Sequence, residues 1–218
     1  MSATRVAAPR VSYQGEPGAY GEMAITREWG GVATAVASPT FAEALSALGH
    51  GDTDFAMIPV WNSTIGEIQD TNVLLSHHAS RVETVSEVTV PVVHCLLGLP
   101  GATMSTVRHV GSHPTALAQC RRFFSARPLL LPSIAHDTAG AARELAALGP
   151  DSHGAPTRSG AVPWFERYKP VNAKALGVIA GAHVARLYGL IVVAEGIQDS
   201  PSNTTKFVVV RAQAGVRW

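Results

Sequence analysis

The sequence predicts an α/β protein with largely parallel sheets, on three observations. Short apolar runs alternate with alanine-rich stretches of helical spacing along most of the 218 residues. That alternation is what strand–helix–strand units produce. Glycine, proline, serine and asparagine cluster between the runs, where turns and helix caps are needed. The chain is 46% hydrophobic and 15% charged, which places it among globular proteins with a sizeable core.

Taken in order, residues 11–14 read as a short strand ended by the turn Gly15-Glu16-Pro17-Gly18, and residues 19–29 as a helix. Phe41, Leu45 and Leu48, spaced by four and three, mark a second helix with Ser38-Pro39 at its start. DFAMIPV (54–60) is a buried strand, and VTVPVVHCLL (88–97) a long one whose Pro91 calls for an edge or a bend. From residue 110, VGSHPTALAQCRRFF begins a helix, with Ser112 placed to cap it and Pro114 in its first turn. Residues 129–131 are a strand, 138–148 a helix, 178–187 a helix with Gly189 near its C-cap, and 191–193 and 206–210 strands. Residues 151–174 contain three prolines and two glycines and have no period. The aromatic residues Trp164, Phe165 and Tyr168 argue against disorder there, so a partly ordered flap is expected.

Composition also excludes. A net charge of +1 gives no global field for nucleic acid or an anionic membrane, so an anionic ligand must be held locally. No run of eighteen apolar residues occurs, and MSATRVAAPRVSYQG lacks the apolar centre of a secretion signal, so a cytoplasmic protein is expected. The triplets at Asn62 and Asn203 that fit the glycosylation pattern then need another explanation. Cys95 and Cys120 are too few for a disulfide framework and are expected to be reduced and buried. His77-His78 lacks a third ligand at usable spacing, and His94 and Cys95, adjacent in a strand, would face opposite sides. No phosphate loop, dinucleotide fingerprint or nucleophile elbow is present.

Chemistry concentrates in four loops: 14–21 (QGEPGAYG), 61–66 (WNSTIG), 111–114 (GSHP) and 203–207 (NTTKF). Ligands of open α/β sheets bind where such loops meet helix N-termini, whose N–H groups favour anions. Singly, each loop is explained by turn and cap chemistry. Together they suit a small polar acid.

GEPGAYGEMA (15–24), IPVWNSTIGEI (58–68), GSHPTALAQC (111–120), DTAGAA (137–142), LYGLIVVAEGIQD (187–199) and NTTKF, in that order, resemble the catalytic domain of the prephenate dehydratase family. The resemblance implies a two-lobed fold similar to periplasmic solute-binding proteins (type II), with a ligand cleft between lobes. Residues 1–90 with 190–218 would form one lobe and 91–189 the other. It implies a carbon–oxygen lyase of phenylalanine biosynthesis that removes water and carbon dioxide from dianionic prephenate, without cofactor or metal. By the match, Thr205 is the proton donor to the departing hydroxyl and Lys206 holds a carboxylate beside it. Asn62, Ser63, Thr64, Trp61, Ser112, His113, Thr138, Gln198 and Phe207 form the binding set, with Ser112 a helix cap whether or not it also binds substrate and Thr138 equally suited to capping. Family members imply a homodimer or homotetramer.

Four features depart from the pattern: Lys206 stands for an arginine, Trp61 for a glutamate and Gly21 for a hydroxyl residue, and 151–174 is an insertion. Lysine keeps the charge but not the planar fork. The chain ends soon after the catalytic strand, so no amino-acid-binding regulatory domain is expected. Two further readings stay open: a prephenate decarboxylase giving a non-aromatic keto acid, and a non-catalytic binding protein for a small acid.

Overall fold

The structure, a computed structural model, describes residues 7–149, 162–168 and 172–215. In chain order the elements are β1 (Arg10–Gln14), α1 (Tyr20–Trp29), β2 (Thr34–Ser38), α2 (Phe41–Gly49), β3 (Phe55–Asn62), β4 (Gly66–Glu67), α3 (Gln69–His77) and β5 (Val82–Pro91). Then come β6 (Cys95–Gly98), β7 (His109–Ser112), α4 (Pro114–Ala118), α5 (Arg121–Ser125), β8 (Leu131–Ile134) and α6 (Thr138–Ala146). The chain finishes with β9 (Leu176–Ala180), α7 (Ala182–Tyr188), β10 (Ile191–Ala194) and β11 (Thr204–Ala212). They form two compact units, residues 1–91 with 204–218, and residues 92–203.

The first unit is a sheet ordered β2-β1-β3-β11-β5, with β4 beside β3. Alternating side chains divide its core in two. Val11, Tyr13, Met57, Val88, Phe207 and Val209 face α1, which contributes Ala24 and Ile25. Ile58, Val208 and Val210 face α2, which contributes Leu45 and Leu48. Thr40 caps α2, its side chain accepting from the Glu43 N–H, so that helix starts at Phe41, three residues after Ser38.

The second unit is a sheet ordered β10-β6-β9-β7-β8. Leu97, Val178 and Ala180 pack with Ala142 and Leu145 of α6 and Val184 of α7 on one face. Leu96, Val110 and Ile179 pack with Ala116 and Phe123 on the other.

Both sheets are mixed. Pairing is parallel for β1–β2, β1–β3, β7–β8 and β7–β9. It is antiparallel where β11 lies between β3 and β5, and where β6 lies between β9 and β10. Largely parallel pairing, expected from strand–helix alternation, thus holds only where a helix carries the chain across.

Three sequence expectations change. The run 88–97 divides: β5 ends at Pro91 and β6 starts at Cys95, in a different sheet. His94 is therefore outside the strand, and the argument from alternation with Cys95 lapses. The chain returns to the first unit at Thr204 rather than near residue 190, because β10 pairs with β6. The expected helix over 178–187 is the strand β9, buried at all five positions, followed by α7. A short run apolar on both faces has no period to separate strand from helix. Gly189 does end α7 in the left-handed region, at φ 67°.

Of the expected flap, residues 150–161 and 169–171 lie outside the described residues. Trp164 and Phe165 are core residues, 5% and 4% exposed. Gly111 makes room for the indole, since a Cβ there would stand 2.4 Å from Trp164 Cδ2.

Candidate active site

Thr205 and Lys206 are neighbours in β11 yet face opposite sides of its sheet. Thr205 pairs with Asn62 and Lys206 with Trp61 in β3. The register then slips, because Phe207 pairs with Pro59, leaving Val60 as an extra residue on β3. This β-bulge changes which way β3 presents its last side chains. Strict alternation from Met57, which faces α1, would put Asn62 on the opposite face. The extra residue brings Asn62 onto the face of Thr205 and sends Trp61 to the face of Lys206.

On the first face, Asn62 Nδ2–H donates to Thr205 Oγ1 at 2.9 Å. The amide orientation is fixed independently, because Asn62 Oδ1 accepts from the Thr64 N–H at 2.9 Å and from Thr64 Oγ1 at 2.6 Å. Ser63 and Thr204 lock the two strands together: Ser63 N–H donates to Thr204 O, and Thr204 N–H to Ser63 Oγ, each at 2.9 Å. Asn62 and Thr205 are 5% and 9% exposed. A hydroxyl carries one proton. With Asn62 filling an acceptor position on Oγ1, the Thr205 proton remains to be donated, and no described residue accepts it.

On the second face, Lys206 Nζ lies 3.2 Å from Glu87 Oε2. Together with Val60, Trp61, Glu67 and Asn72 these two line an open groove of about 350 Å³. Lys206 is therefore not the carboxylate holder beside Thr205 that the sequence suggested, and Trp61, 40% exposed, is separated from Asn62 in the same way. Phe207, placed in the binding set by its motif, is 3% exposed in the core against α1. Adjacent strand residues cannot share a ligand while the strand continues through them.

In the second unit, Ser112 neither caps nor faces solvent. It is 0% exposed, and its Oγ donates to Ile179 O of β9 at 2.8 Å. The cap of α4 is His113, whose Nδ1 accepts from the Thr115 N–H at 3.2 Å. That bond fixes the neutral tautomer, with the proton on Nε2 of an exposed ring. Partial burial holds the His113 pKa below its ordinary value and neighbouring His136 adds to this, against the pull of Asp137. Thr138 is the first residue of α6, whose cap is Asp137, accepting from the Gly140 N–H.

Gln198, expected in the binding set, uses Oε1 to accept from the His94 N–H at 3.0 Å. His94 Nε2 lies 2.8 Å from Gln119 Oε1, which also accepts from Asn203 Nδ2 at 3.0 Å. Burial lowers the His94 pKa, against the bond from Gln119. Gln119 was missed because it sits unmarked inside a helical run, and His94 because it was assigned to a strand.

Cys120 is pushed up to about 12 by burial, with Asp199 adding to it, and burial raises Cys95 too, so both thiols stay protonated. Among the described residues no group of three His, Cys, Asp or Glu side chains could hold a metal ion.

Comparisons with known proteins bear on this arrangement. A model of the prephenate dehydratase family matches residues 11–215. Arogenate dehydratase 1 of Petunia hybrida is 38% identical over 202 residues, covering 92% of this chain and 42% of that protein. The chloroplastic arogenate dehydratase/prephenate dehydratase 6 of Arabidopsis thaliana is 36% identical over 202 residues, covering 92% and 43%. The chain thus spans less than half the length of these curated relatives. Among solved structures, prephenate dehydratase from Arthrobacter aurescens in complex with L-Phe superposes with TM-score 0.74 at 24% identity, covering 96% of this chain and 62% of that one. GqqA, described as a novel type of quorum quenching acylase, superposes with TM-score 0.71 at 30% identity, covering 95% and 65%. With a family match across nearly its whole length, this chain belongs to the prephenate dehydratase family.

Proposed function

We propose that the chain is the catalytic part of a lyase that removes water and carbon dioxide from a prephenate-type cyclohexadienol. The observation that carries this is the buried Asn62–Thr205 pair, which leaves the threonine proton available for donation. The ring hydroxyl leaves as water only if it is protonated as its C–O bond breaks, so the donor must stand within hydrogen-bond reach. Thr205 supplies that proton. The electron pair of the breaking carboxylate bond flows into the ring, carbon dioxide departs and the ring becomes aromatic. Negative charge develops on Thr205 Oγ1, and Asn62 Nδ2–H, already aimed at that oxygen, stabilises it. Solvent then restores the threonine proton.

His113 is proposed as an anion ligand, because its exposed Nε2–H suits a carboxylate. Relatives named for arogenate, for prephenate and for both support the substrate class, and either compound meets its chemical demands. An acyl-transfer reading, prompted by GqqA, lacks what a nucleophilic hydroxyl needs. Thr205 accepts a bond from an amide, and no described base takes its proton. Incubation with prephenate and with arogenate, followed by NMR of the products, tests the reading. An aromatic product supports it. A non-aromatic keto acid selects the decarboxylase reading, and unchanged substrate together with cleavage of an acyl amide selects hydrolysis.

A further inference from the structure

β3 and β4 form a hairpin whose turn is residues 63–65, with Asn62 paired to Gly66 at its base. Asn62 Oδ1 accepts from the Thr64 N–H at 2.9 Å, closing an Asx-turn. Ser63 pins that turn to β11, since its N–H donates to Thr204 O and its Oγ accepts from the Thr204 N–H. These bonds account for the turn. None of them uses the Thr64 hydroxyl, which a valine would replace with a methyl group of like size.

The hydroxyl nonetheless donates to Asn62 Oδ1 at 2.6 Å, toward the short end of the O–H···O range. Thr64 offers two donors, its N–H and its O–H, and both are directed at that one oxygen. It is thus poorly equipped to grip a substrate carboxylate, the part its motif suggested. The amide carries the effect onward, because Asn62 Nδ2–H donates to Thr205 Oγ1 at 2.9 Å. Donors at an amide oxygen draw electron density from the nitrogen, and bonds in such a chain strengthen one another. Thr64 is exposed, whereas Asn62 and Thr205 are buried, where a low local dielectric enlarges the effect.

We propose that Thr64 is a positioning residue that acts on the reaction through Asn62. Its hydroxyl holds the amide in orientation and makes Nδ2–H a stronger donor to Thr205 Oγ1. The inference rests on the assignment of Thr205 as proton donor. Charge develops on Oγ1 only as the proton leaves, so a stronger donor favours the transition state over the bound substrate. Its effect therefore falls on kcat rather than KM.

The test compares Thr64→Val, which keeps the shape and the turn but removes the hydroxyl, with Thr64→Ser, which keeps the hydroxyl. With prephenate or arogenate, Thr64→Val is expected to lose about 3- to 10-fold in kcat, the worth of one neutral hydrogen bond, with KM within about twofold. Thr64→Ser should keep kcat within about twofold. In the Asn62→Ala background, Thr64→Val should cost less than about twofold more, because residues acting through one shared bond are not additive. NMR of the Asn62 side-chain amide gives a readout independent of turnover. Its Nδ2–H proton resonance should move upfield in Thr64→Val, as the bond to Thr205 weakens, and keep its wild-type position in Thr64→Ser. A raised KM at unchanged kcat in Thr64→Val would put the hydroxyl on the substrate and overturn the proposal. So would an unmoved amide resonance, or an equal kcat loss in the Asn62→Ala background. If the wild-type chain turns over neither compound, the reading of the reaction fails, and the amide resonance alone decides whether Thr64 tunes the donor.

Discussion

The chemistry of the first unit rests on the direction of one hydrogen bond. Asn62 donates to Thr205 rather than accepting from it, because Thr64 occupies the amide oxygen twice. Replacing that donor with a carboxylate of the same size should therefore disable the pair without changing its packing. Asn62→Asp is expected to lower kcat about 100-fold, the magnitude typical for removing one donor from a developing oxyanion. Single-turnover kinetics would check this, and wild-type rates would show that the amide does not support the proton transfer. Lys206 gives the converse expectation. It pairs with Glu87 on the other face, so Lys206→Ala should leave kcat and KM within about twofold, as an exposed ion pair contributes little. A large rise in KM for that variant would return Lys206 to the substrate.

At the scale of elements, the motif strings were legible in sequence but their facing was not. WNST and NTTKF stood out as polar residues at strand ends, and the structure pairs them in register. The bulge at Val60 that turns Asn62 toward Thr205 leaves no mark in the sequence, since one extra apolar residue in IPVW reads like any other. Ser112 misled for a related reason. A serine two residues before a proline has the spacing of a cap, yet the cap is His113 and the serine is consumed by Ile179 O. The aromatics of residues 162–168 suggested a flap, although Trp164 fills the space left by Gly111. Gly111→Ala is expected to destabilise by about 1–3 kcal/mol through overpacking, measured by urea denaturation. A variant as stable as wild type would show that the indole is free to move aside.

For the whole molecule, strand–helix alternation conveyed the fold class and composition conveyed a globular chain. Neither shows that β11 returns antiparallel between β3 and β5, because long-range pairing has no local signature. Several histidines add a global property. Burial is the main cause lowering the folded-state pKa of His78, His94, His109 and His113 below the ordinary 6.5. The unfolded chain then takes up protons that the folded chain resists, so stability is full above pH 6.5 and falls as pH drops below it. Tm should be lower at pH 5.5 than at pH 7.5, and the drop should shrink in His94→Gln, whose ring sits in the most enclosed position of the four. An unchanged or higher Tm at pH 5.5 would show that these rings are protonated in the fold. The central claim concerns one hydroxyl, and its most direct measurement is kcat for wild type, Thr205→Ser and Thr205→Ala on prephenate and arogenate, with products identified by NMR. The account predicts an aromatic product, substantial turnover with serine, and a loss of about 10²- to 10⁴-fold with alanine. An alanine variant that forms the aromatic product at the wild-type rate would contradict it.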